Sequence, residues 1–456
     1  MSRIIVAGAG HGGLVAAYHL AVNGEDVTVY EKHKRDDLGY DWQDSFEYKS
    51  FSYADLPIPE TGMKDRVPMT FVPSTNPYIC FSQPKTSGKF SLHMFRKDIY
   101  SHLISLCEKV GVKFQYKTNI KSAIIFGNRI CGIKTDKGDY LGDLVIDAAG
   151  MYSPVKNSLP DYLAVQKEFA DCEVLHAYRA YFKKNTDFPE PENEYQVLFS
   201  EDGNTGLGWI VNKEKYYDIL IGRFGDFSID MADRAVENLR ADFPFIGKKI
   251  LHGGSIADIP VRQPLAVFIA DGYAAVGDSA CMTIPVIGSG LTNSIMAGKI
   301  LADTVIADEN KTYSANVLWE YEKNYYKEIG NTCSAFALFK VFMNSLEPED
   351  IIFLIEEEIL TTDDISFNVN DSSIVEMLLS GGFNIPTLFT KAKKLKNNDE
   401  LFKKIVSLAS NAAKLKTVKV SFPNEYNIED VKKWSEKYEN FFNSIAVDAK
   451  TDCNLL

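Results

Sequence analysis

The chain has 456 residues, which is too long for one hydrophobic core of ordinary size, so two or three domains are expected. An apolar content of 45% and a charged content of 24% are typical of a soluble globular protein. The net charge of −13 argues against nucleic-acid binding, because the phosphates would be repelled.

The sequence has no apolar run of the roughly 18 residues needed to span a bilayer, which predicts no transmembrane segment. Its first residues form an apolar strand interrupted by glycines rather than a signal peptide. The seven cysteines include no CxxC pair, so we expect free thiols in a reducing compartment and no metal site. These features together predict a cytoplasmic protein.

The chain begins with the pattern of a dinucleotide-binding βαβ unit. A short apolar run leads into Gly8, Gly10 and Gly13, a helical pattern follows, and a second strand-like run ends at Glu31. The glycines permit a tight turn, approach of the backbone to a pyrophosphate, and close packing of helix and strand. The phosphates would lie at the helix N-terminus, and Glu31 would accept a ribose hydroxyl. A carboxylate at this position would repel a 2′-phosphate, so FAD or NAD is favoured over NADP.

A polar, aromatic-rich loop follows the second strand. In a doubly wound sheet such a loop leaves the carboxyl edge of the strands, where ligands bind. Asp41, Trp42, Gln43 and Asp44 are therefore candidates to face a cofactor or substrate. A capped surface loop fits the same residues.

A second strand–turn–helix motif lies much later in the chain. A strand-like run ends at Asp278, and a loop with Pro285, Gly288 and Gly290 precedes a helix that begins at Leu291. The N-terminus of this helix would aim its amides at a bound ring or phosphate. The Asp278 carboxylate needs a donor, which either a ribityl or ribose hydroxyl or a helix-capping amide would supply. A second turn favours FAD over NAD, because the isoalloxazine needs support that a nicotinamide site lacks.

The remaining patterns predict an α/β fold with a split Rossmann-like FAD-binding domain, a largely antiparallel substrate-binding sheet domain and a helical C-terminal region. An amphipathic helix begins at Arg96, and alternating apolar and polar residues predict the antiparallel sheet. The expected bounds are 1–170 plus 263–310, with small inserted strands at 66–95, then 171–262, and finally 311–456. The basic segment 391–404 is either a solvated helix face or a surface for a partner or membrane, so peripheral membrane contact stays open.

The two glycine motifs, the Arg96 helix and the strand into Asp147-Ala148-Ala149-Gly150 occur together in one family. Over roughly residues 1 to 330 the sequence resembles the FAD-dependent oxidoreductases of the aromatic-hydroxylase-like fold. Within that fold it looks most like the geranylgeranyl-reductase-type flavoproteins.

The resemblance implies that one group of residues holds the pyrophosphate, ribose and ribityl parts of FAD: Gly8, Gly10, Gly13, Glu31, Arg96 and Asp278. It implies that a second group forms the turn beside the N1–C2=O edge of the isoalloxazine: Pro285, Gly288, Gly290 and Leu291. The positive end of a helix at this edge would stabilise the negative charge that reduced flavin carries at N1.

Two departures from the family pattern leave the substrate open. Hydroxylases of this fold carry Asp-Gly where this chain has Ala149-Gly150, which weakens the hypothesis of a direct NADPH-driven hydroxylase. Of the reductases' Tyr-x-Trp-x-Phe-Pro motif only Trp209 is kept. We expect Trp42 and Trp209 to contact the substrate, while Arg223 either pairs with a substrate carboxylate or forms a surface ion pair.

The leading hypothesis is a flavin-dependent reductase of a C=C bond in a largely apolar small molecule. Hydride would come from flavin N5, and the proton from Tyr40, Asp41, Asp44, Cys281 or water. A monooxygenase (hydroxylase or halogenase-like), an oxidase or dehydrogenase, and a flavin-bound electron carrier remain alternatives. Because only one dinucleotide fingerprint is present, electrons would come from transiently bound NAD(P)H or from a small redox partner protein.

Overall fold

The computed structural model describes residues 1–65, 69–73, 81–82, 90–167, 169–191, 195–199, 206–359, 395 and 398–448. Much of the predicted strand insertion at 66–95 and the first residues of the basic segment 391–404 lie outside the described residues.

The strands are numbered in chain order: β1 (Arg3–Ala7), β2 (Asp26–Tyr30), β3 (Gln43–Phe46), β4 (Met63–Asp65), β5 (Thr70–Pro73), β6 (Phe81–Ser82), β7 (Phe90–Phe95), β8 (Lys113–Gln115), β9 (Ile120–Phe126), β10 (Arg129–Thr135), β11 (Gly138–Leu141), β12 (Leu144–Asp147), β13 (Val174–Lys184), β14 (Tyr195–Phe199), β15 (Gly206–Asn212), β16 (Tyr216–Arg223), β17 (Ile246–Pro260), β18 (Ile269–Ala270) and β19 (Tyr273–Ala275). The helices are α1 (His11–Val22), α2 (Lys49–Tyr53), α3 (Arg96–Lys109), α4 (Pro154–Asn157), α5 (Ile229–Asp242), α6 (Leu291–Ala307), α7 (Ala315–Tyr325), α8 (Asn331–Asn344), α9 (Pro348–Glu356), α10 (Asp399–Val420) and α11 (Ile428–Asp448).

The first sheet has β1 near its centre. Its strand order is β18-β19-β12-β1-β2-β8, and every pair except β18–β19 is parallel. Val6 lies opposite Ile146 on one side and Val29 on the other, and all three are fully buried. Strands covered on both faces read as continuous apolar runs, which is why the sequence predicts them. The predicted Rossmann-like α/β fold is confirmed.

Helices α1 and α6 pack side by side at an unusually short distance. A Cβ atom at Gly298 of α6 would lie 2.3 Å from the carbonyl oxygen of Gly12, and one at Gly12 would lie 2.6 Å from that of Ser294. The two glycines therefore let the backbones of the helices touch. This contact brings the N-termini of both helices to the same region of the molecule.

The second large sheet has seven strands in the order β17-β13-β16-β15-β14-β5-β6, antiparallel except for the β14–β5 pair. Strand β5 comes from the insertion at 66–95, which we had expected to stay with the FAD-binding domain. Its pairing with β14 joins it to the sheet of 171–262 instead, because its free edge finds a partner there. Two small three-stranded sheets, β11-β10-β9 and β3-β7-β4, complete the strand content of the described residues.

The seven-stranded sheet buries different side chains on its two faces. Helix α5 covers one face, where Tyr178 and Ile219 pack against Val236. On the other face Tyr181 and Leu220 pack against Trp42 of the loop after β2. Alternation along each strand thus decides which residues lie on the face that Trp42 contacts.

The C-terminal region is helical in the residues that the structure describes. A π-helical turn at Tyr326–Gly330 joins α7 to α8. Tyr326 contacts Trp434 and Tyr438 of α11 edge to face, with ring centroids 5.5 and 6.1 Å apart. Among the described residues, no helix combines the length and apolar character that crossing a membrane requires.

Candidate functional site

The glycine fingerprint turns tightly against the end of β12. Gly8 has φ of 85°, and a Cβ atom on it would lie 2.7 Å from the carbonyl oxygen of Ala148. A Cβ on Gly10 would lie 2.6 Å from the same oxygen, and one on Gly13 would lie 2.5 Å from the Cβ of Ala148. The strand end leaves room for hydrogen atoms only, so the spacing of the three glycines is a packing requirement of the turn.

Two helix N-termini near this turn are free to receive an anion or a polar ring. Neither α1 nor α6 has a side-chain cap or an acidic residue in its first turn. The first amides of a helix have no intrahelical partner and carry the positive end of the helix dipole. A cofactor with a pyrophosphate and an electron-rich ring edge therefore fits the residues present, as FAD does.

Glu31 lies beside the fingerprint turn and also stabilises it through hydrogen bonds. The Glu31 side chain is buried, and its two oxygens accept hydrogen bonds from the amides of Ala9 at 2.9 Å and His33 at 2.8 Å. Each carboxylate oxygen retains a lone pair for a ribose hydroxyl. The predicted ribose contact is thus compatible with a structural role for the same carboxylate.

Arg96 and Asp44 form a bidentate ion pair. The Nε and Nη2 atoms of Arg96 donate to the two carboxylate oxygens of Asp44, both at 2.8 Å. Burial alone would raise the pKa of Asp44, but the Arg96 charge and its hydrogen bonds outweigh burial and hold that pKa below its ordinary value. The guanidinium also lies over the rings of Tyr40 and Trp42, at 5.6 and 5.8 Å from their centroids. Asp44 therefore stays ionised and is unsuited to donate a proton.

His11, the first residue of α1, stacks on Tyr100 with ring centroids 4.4 Å apart. Burial and the nearby Arg96 charge lower the pKa of His11 to about 3, so the imidazole is neutral. Its Nε2 atom is buried and has no hydrogen-bond partner among the described residues. A ligand at the helix N-terminus would supply that partner.

Asp278 lies in a 3-10 turn at Gly277–Ala280, directly before the second glycine turn. Its side chain is exposed to solvent, yet the protein around it raises the pKa of the carboxyl, against the opposing charges of Arg96 and Lys156. A Cβ atom on Gly290 would lie 3.3 Å from Oδ1 of Asp278. The carboxyl thus lies beside the start of α6, between two cationic side chains.

The turn before α6 is compact. Ile284 and Ser289 form a β-bridge around it, and Gly288 has φ of 63°. Pro285 and Leu291 are buried at its two ends. Within the turn, the amides of Ile287 and Gly288 donate to the carbonyl oxygen of Ile284 at 3.3 and 2.8 Å. The individual contacts with FAD remain predictions.

Asp147, at the end of β12, connects several segments of this region through hydrogen bonds. It was not among the predicted site residues. Its fully buried carboxylate accepts hydrogen bonds from the hydroxyls of Ser153 (2.6 Å), Tyr273 (3.0 Å) and Ser279 (3.2 Å). Ser279 also accepts from the amide of Gly150 at 2.9 Å. The network joins the 3-10 turn of Asp278 to the end of β12, the strand beside β1. The sequence did carry a signal for this role, a carboxylate at the end of an apolar strand. A buried carboxylate needs several hydrogen-bond donors.

The sheet surface opposite α5, with Trp42 laid on it, is called here the aromatic face; its members are Trp42, Ala177, Arg179, Tyr181, Trp209, Tyr216, Leu220 and Ala257. Trp42 is buried and stacks on Tyr40 at 4.8 Å. The structure therefore brings both predicted substrate tryptophans to one surface. Arg179 and its partner Asp218 were missed, because a lone arginine in an alternating strand carries no signal of burial.

Arg223 is not brought to the aromatic face. It follows Ile219 and Ile221 in the alternation of β16, and both of these pack under α5. The side chain is buried, and its Nη1 donates to the carbonyl oxygen of Gly222 at 3.3 Å. The structure therefore does not support the predicted pairing of Arg223 with a substrate carboxylate. The arginine that lies on the aromatic face is Arg179.

Three of the predicted proton donors have very different surroundings. The Cys281 thiol is fully buried with φ of 55°, and burial raises its pKa to about 12, which disfavours it as an acid. Asp41 is half exposed, and its Oδ2 lies 3.1 Å from Nδ1 of His252. The His252 ring packs on Phe95 at 4.9 Å beside the aromatic face. Tyr40 is 42% exposed, and partial burial raises its pKa.

Comparison with known proteins agrees with the motifs. Residues 6–53 match the family described as NAD(P)-binding Rossmann-like domain. The digeranylgeranylglycerophospholipid reductase of Sulfolobus acidocaldarius is 23% identical over 64% of this chain and 65% of its own length. The enzyme of the same name from Methanothrix thermoacetophila is 25% identical over 76% of this chain and 89% of its own length. The aligned region thus spans just under two thirds of the Sulfolobus protein.

Solved structures share the fold. A geranylgeranyl bacteriochlorophyll reductase-like protein from Thermoplasma acidophilum has a TM-score of 0.70 at 17% identity, covering 89% of this chain and 99% of that one. A probable FAD-dependent monooxygenase from Pseudomonas aeruginosa has a TM-score of 0.56 at 18% identity, covering 75% and 96%. The predicted resemblance to FAD-dependent oxidoreductases of the geranylgeranyl-reductase type is confirmed, and both functional branches of the fold are represented.

Proposed function

We propose that this chain is an FAD-dependent reductase that transfers hydride to a C=C bond of a largely apolar small molecule. FAD would supply the hydride. The cofactor would be held by the two helix N-termini and by Glu31, Arg96 and Asp278. The names of the relatives support a reductase of prenyl double bonds, and the low identity leaves the exact substrate open.

The observation that carries the proposal is the aromatic face. Trp42 comes from the loop between the fingerprint and Arg96, while Tyr181 and Leu220 come from the second sheet. An apolar, ring-lined surface at the junction of the two sheets excludes water and suits an unsaturated hydrocarbon chain.

The proton would come from the Asp41–His252 pair. Of the four predicted donors, Asp44 is held ionised by Arg96 and Cys281 is buried with a raised pKa. Asp41 orients the His252 imidazole through Nδ1, so that in the protonated ring Nε2–H can donate the proton and the ring returns to its neutral Nδ1–H form. His252 is 36% accessible at its side chain, so a proton can be replenished from solvent after each turnover.

The electron source is proposed in two forms. One is NAD(P)H that binds transiently, since only one dinucleotide fingerprint is present. The other is a small reduced redox protein. Anaerobic mixing of the oxidised holoenzyme with NADH or NADPH decides between them, because only the first form predicts rapid bleaching of the flavin.

The test of the reaction is a single-turnover experiment. The purified protein is loaded with FAD, reduced with dithionite under nitrogen and mixed with a prenyl alkene. A reductase reoxidises its flavin without oxygen and yields the saturated product. Reoxidation only on admission of air, with a C4a-peroxyflavin absorbance that depends on the substrate, would instead identify a monooxygenase. Failure to retain FAD at all would remove both functions.

A further inference from the structure

We propose that the substrate carries a neutral oxygen acceptor, a carbonyl or hydroxyl oxygen, that receives hydrogen bonds from Arg179 and Trp42. This inference rests on the proposed function and specifies its substrate class as an oxygenated, otherwise apolar alkene. The two donors lie on the aromatic face, where the substrate chain is placed.

Arg179 offers a donor that the protein does not use. Its Nε and Nη2 atoms donate to Asp218 at 2.8 and 2.6 Å, and within the described part of the chain Nη1 donates to no residue. The guanidinium lies under the rings of Trp209 and Tyr181, at 5.2 and 5.3 Å from their centroids, and the side chain keeps 10% of its surface accessible. Fixed by Asp218 and by the rings, the free amino group of Arg179 has one defined direction for a ligand.

Trp42 offers a second unused donor next to the first. The residue is 2% exposed, and its indole N–H is buried without an acceptor among the described residues. A buried N–H left unpaired costs the free energy of desolvation, which a ligand oxygen would recover. The Arg179 guanidinium lies 5.9 Å from the centre of the Trp42 ring, so the two donors are close neighbours on the aromatic face.

The charges around these donors select a neutral acceptor over an anion. Asp218 neutralises Arg179, and on the other side of Trp42 the pair Arg96–Asp44 is neutral as well. An anion would have to shed its water into this aromatic surrounding with no net positive charge to receive it. A carbonyl or hydroxyl oxygen loses far less on desolvation and still gains two hydrogen bonds.

The test measures binding to the oxidised holoenzyme, in which no turnover occurs. Geranylgeraniol, geranylgeranial, the hydrocarbon of matching length and geranylgeranyl diphosphate are titrated while the flavin absorbance is recorded. We expect the alcohol or the aldehyde to bind about 10-fold more tightly than the hydrocarbon and more tightly than the diphosphate. The comparison of alcohol with aldehyde distinguishes the two sources of the oxygen.

Two variants locate the donors. Trp42→Phe keeps the ring and removes the N–H, so the preference for the oxygenated ligand should fall about 5-fold while the hydrocarbon binds as before. Tyr217→Phe removes a hydroxyl from the opposite face of the same sheet, outside the aromatic face, and should leave that preference unchanged. The double variant Arg179→Met/Asp218→Leu removes the second donor without leaving a buried charge unpaired.

Three outcomes would overturn the inference. They are equal binding of alcohol, aldehyde and hydrocarbon, tightest binding of the diphosphate, and a Trp42→Phe variant that loses FAD rather than the oxygen preference. The last would assign the N–H to the flavin. Reduction of alkenes with no preference for oxygen would sink this inference alone, whereas absence of any alkene reduction would sink the proposed function beneath it.

Discussion

At the scale of single residues, the Arg96–Asp44 pair fixes the loop that carries Trp42 to the start of α3. The side chains are 26% and 14% accessible, so the pair is partly desolvated and its loss leaves Arg96 without a buried counter-charge. Arg96 is also the residue expected to reach the FAD phosphates. A carboxylate that orients this guanidinium links the stability of the loop to cofactor binding.

Replacing Asp44 by Asn should lower the free energy of unfolding by about 2 kcal/mol at pH 7, because a charge-assisted bidentate contact is lost. The folded-state pKa of Asp44 lies below the ordinary value of 3.8, so its contribution is present above that value and fades as pH falls through the folded pKa. Urea titrations at pH 7, 5 and 3.5 measure the difference. Asp36→Asn, an exposed carboxylate in the same loop, is the control. A difference that grows toward acid would contradict the assignment.

The Asp41–His252 contact leads to a kinetic prediction at the same scale. His252→Asn should slow anaerobic reoxidation of the reduced flavin by an alkene about 10²-fold, since a positioned general acid is removed. FAD affinity and substrate affinity should stay within a factor of two or so of wild type, because His252 sits beside the ring-lined surface rather than under it. Stopped-flow absorbance gives the rate. The matched control is His102→Asn on α3, where the imidazole contacts the carbonyl oxygen of Pro57.

At the scale of elements, the contact between α1 and α6 joins the two helix N-termini that would hold FAD. Gly298→Ala places a methyl group against the Gly12 carbonyl, and the helices must separate. We expect a loss of about 3 kcal/mol in unfolding free energy and a markedly weaker hold on FAD. Chemical denaturation and FAD titration measure the two effects. Ile306→Ala, exposed on the same helix, should change stability by only about 0.5 kcal/mol. An unaltered FAD affinity in Gly298→Ala would separate the packing from the cofactor.

The buried carboxyl of Glu322 in α7 should make the stability of the protein depend on pH. One of its oxygens accepts the Phe268 amide at 3.2 Å, and within the described chain the other has no partner. Burial raises the pKa of Glu322 well above 4.5, so the stability this carboxyl contributes is present at acidic pH and lost as pH rises through the folded pKa. Glu322→Gln keeps the acceptor and cannot ionise. The urea midpoint of the variant should equal that of the wild type near pH 5 and exceed it at pH 9. Parallel pH profiles would show that the carboxyl is not titrating.

The elements also show what a sequence pattern can and cannot predict. Gly8, Gly10 and Gly13 could be predicted from the sequence, because a side chain at any of them would collide with Ala148 at the end of β12. The face on which Arg223 lies depends on the register of β16 against β13, and a one-residue difference in alternation exchanges Arg223 for a residue on the aromatic face. The pairing of β5 with β14, and the meeting of Asp41 with His252 across 211 positions, arise from tertiary contacts that no local pattern encodes.

At the scale of the whole molecule, the C-terminal helices form hydrogen bonds with the two segments through which the chain enters and leaves the seven-stranded sheet. Arg262, just after β17, donates to Glu173 at 3.1 Å and to both oxygens of Glu439 on α11 at 2.9 and 2.8 Å. Lys340 of α8 donates to the carbonyl oxygens of Cys172 and Val261 at 3.0 and 2.7 Å. The described C-terminal helices therefore hold the segments that connect the fingerprint sheet to the sheet of the aromatic face, although none of their described residues belongs to either feature.

Glu439→Gln should expose this role, because it leaves the buried Arg262 guanidinium with one carboxylate instead of two. Arg262 is 3% exposed, and the Glu439 charge does most to raise its pKa against the effect of burial, so the loss should cost about 3 kcal/mol of unfolding free energy. Proteolysis near residues 172 and 262 should accelerate in the same variant, since α11 no longer holds the crossing segments. Glu436→Gln, an exposed neighbour on α11, controls for the helix itself. A variant that unfolds earlier yet is cleaved elsewhere would mean that α11 stabilises the protein without fixing the two sheets in place.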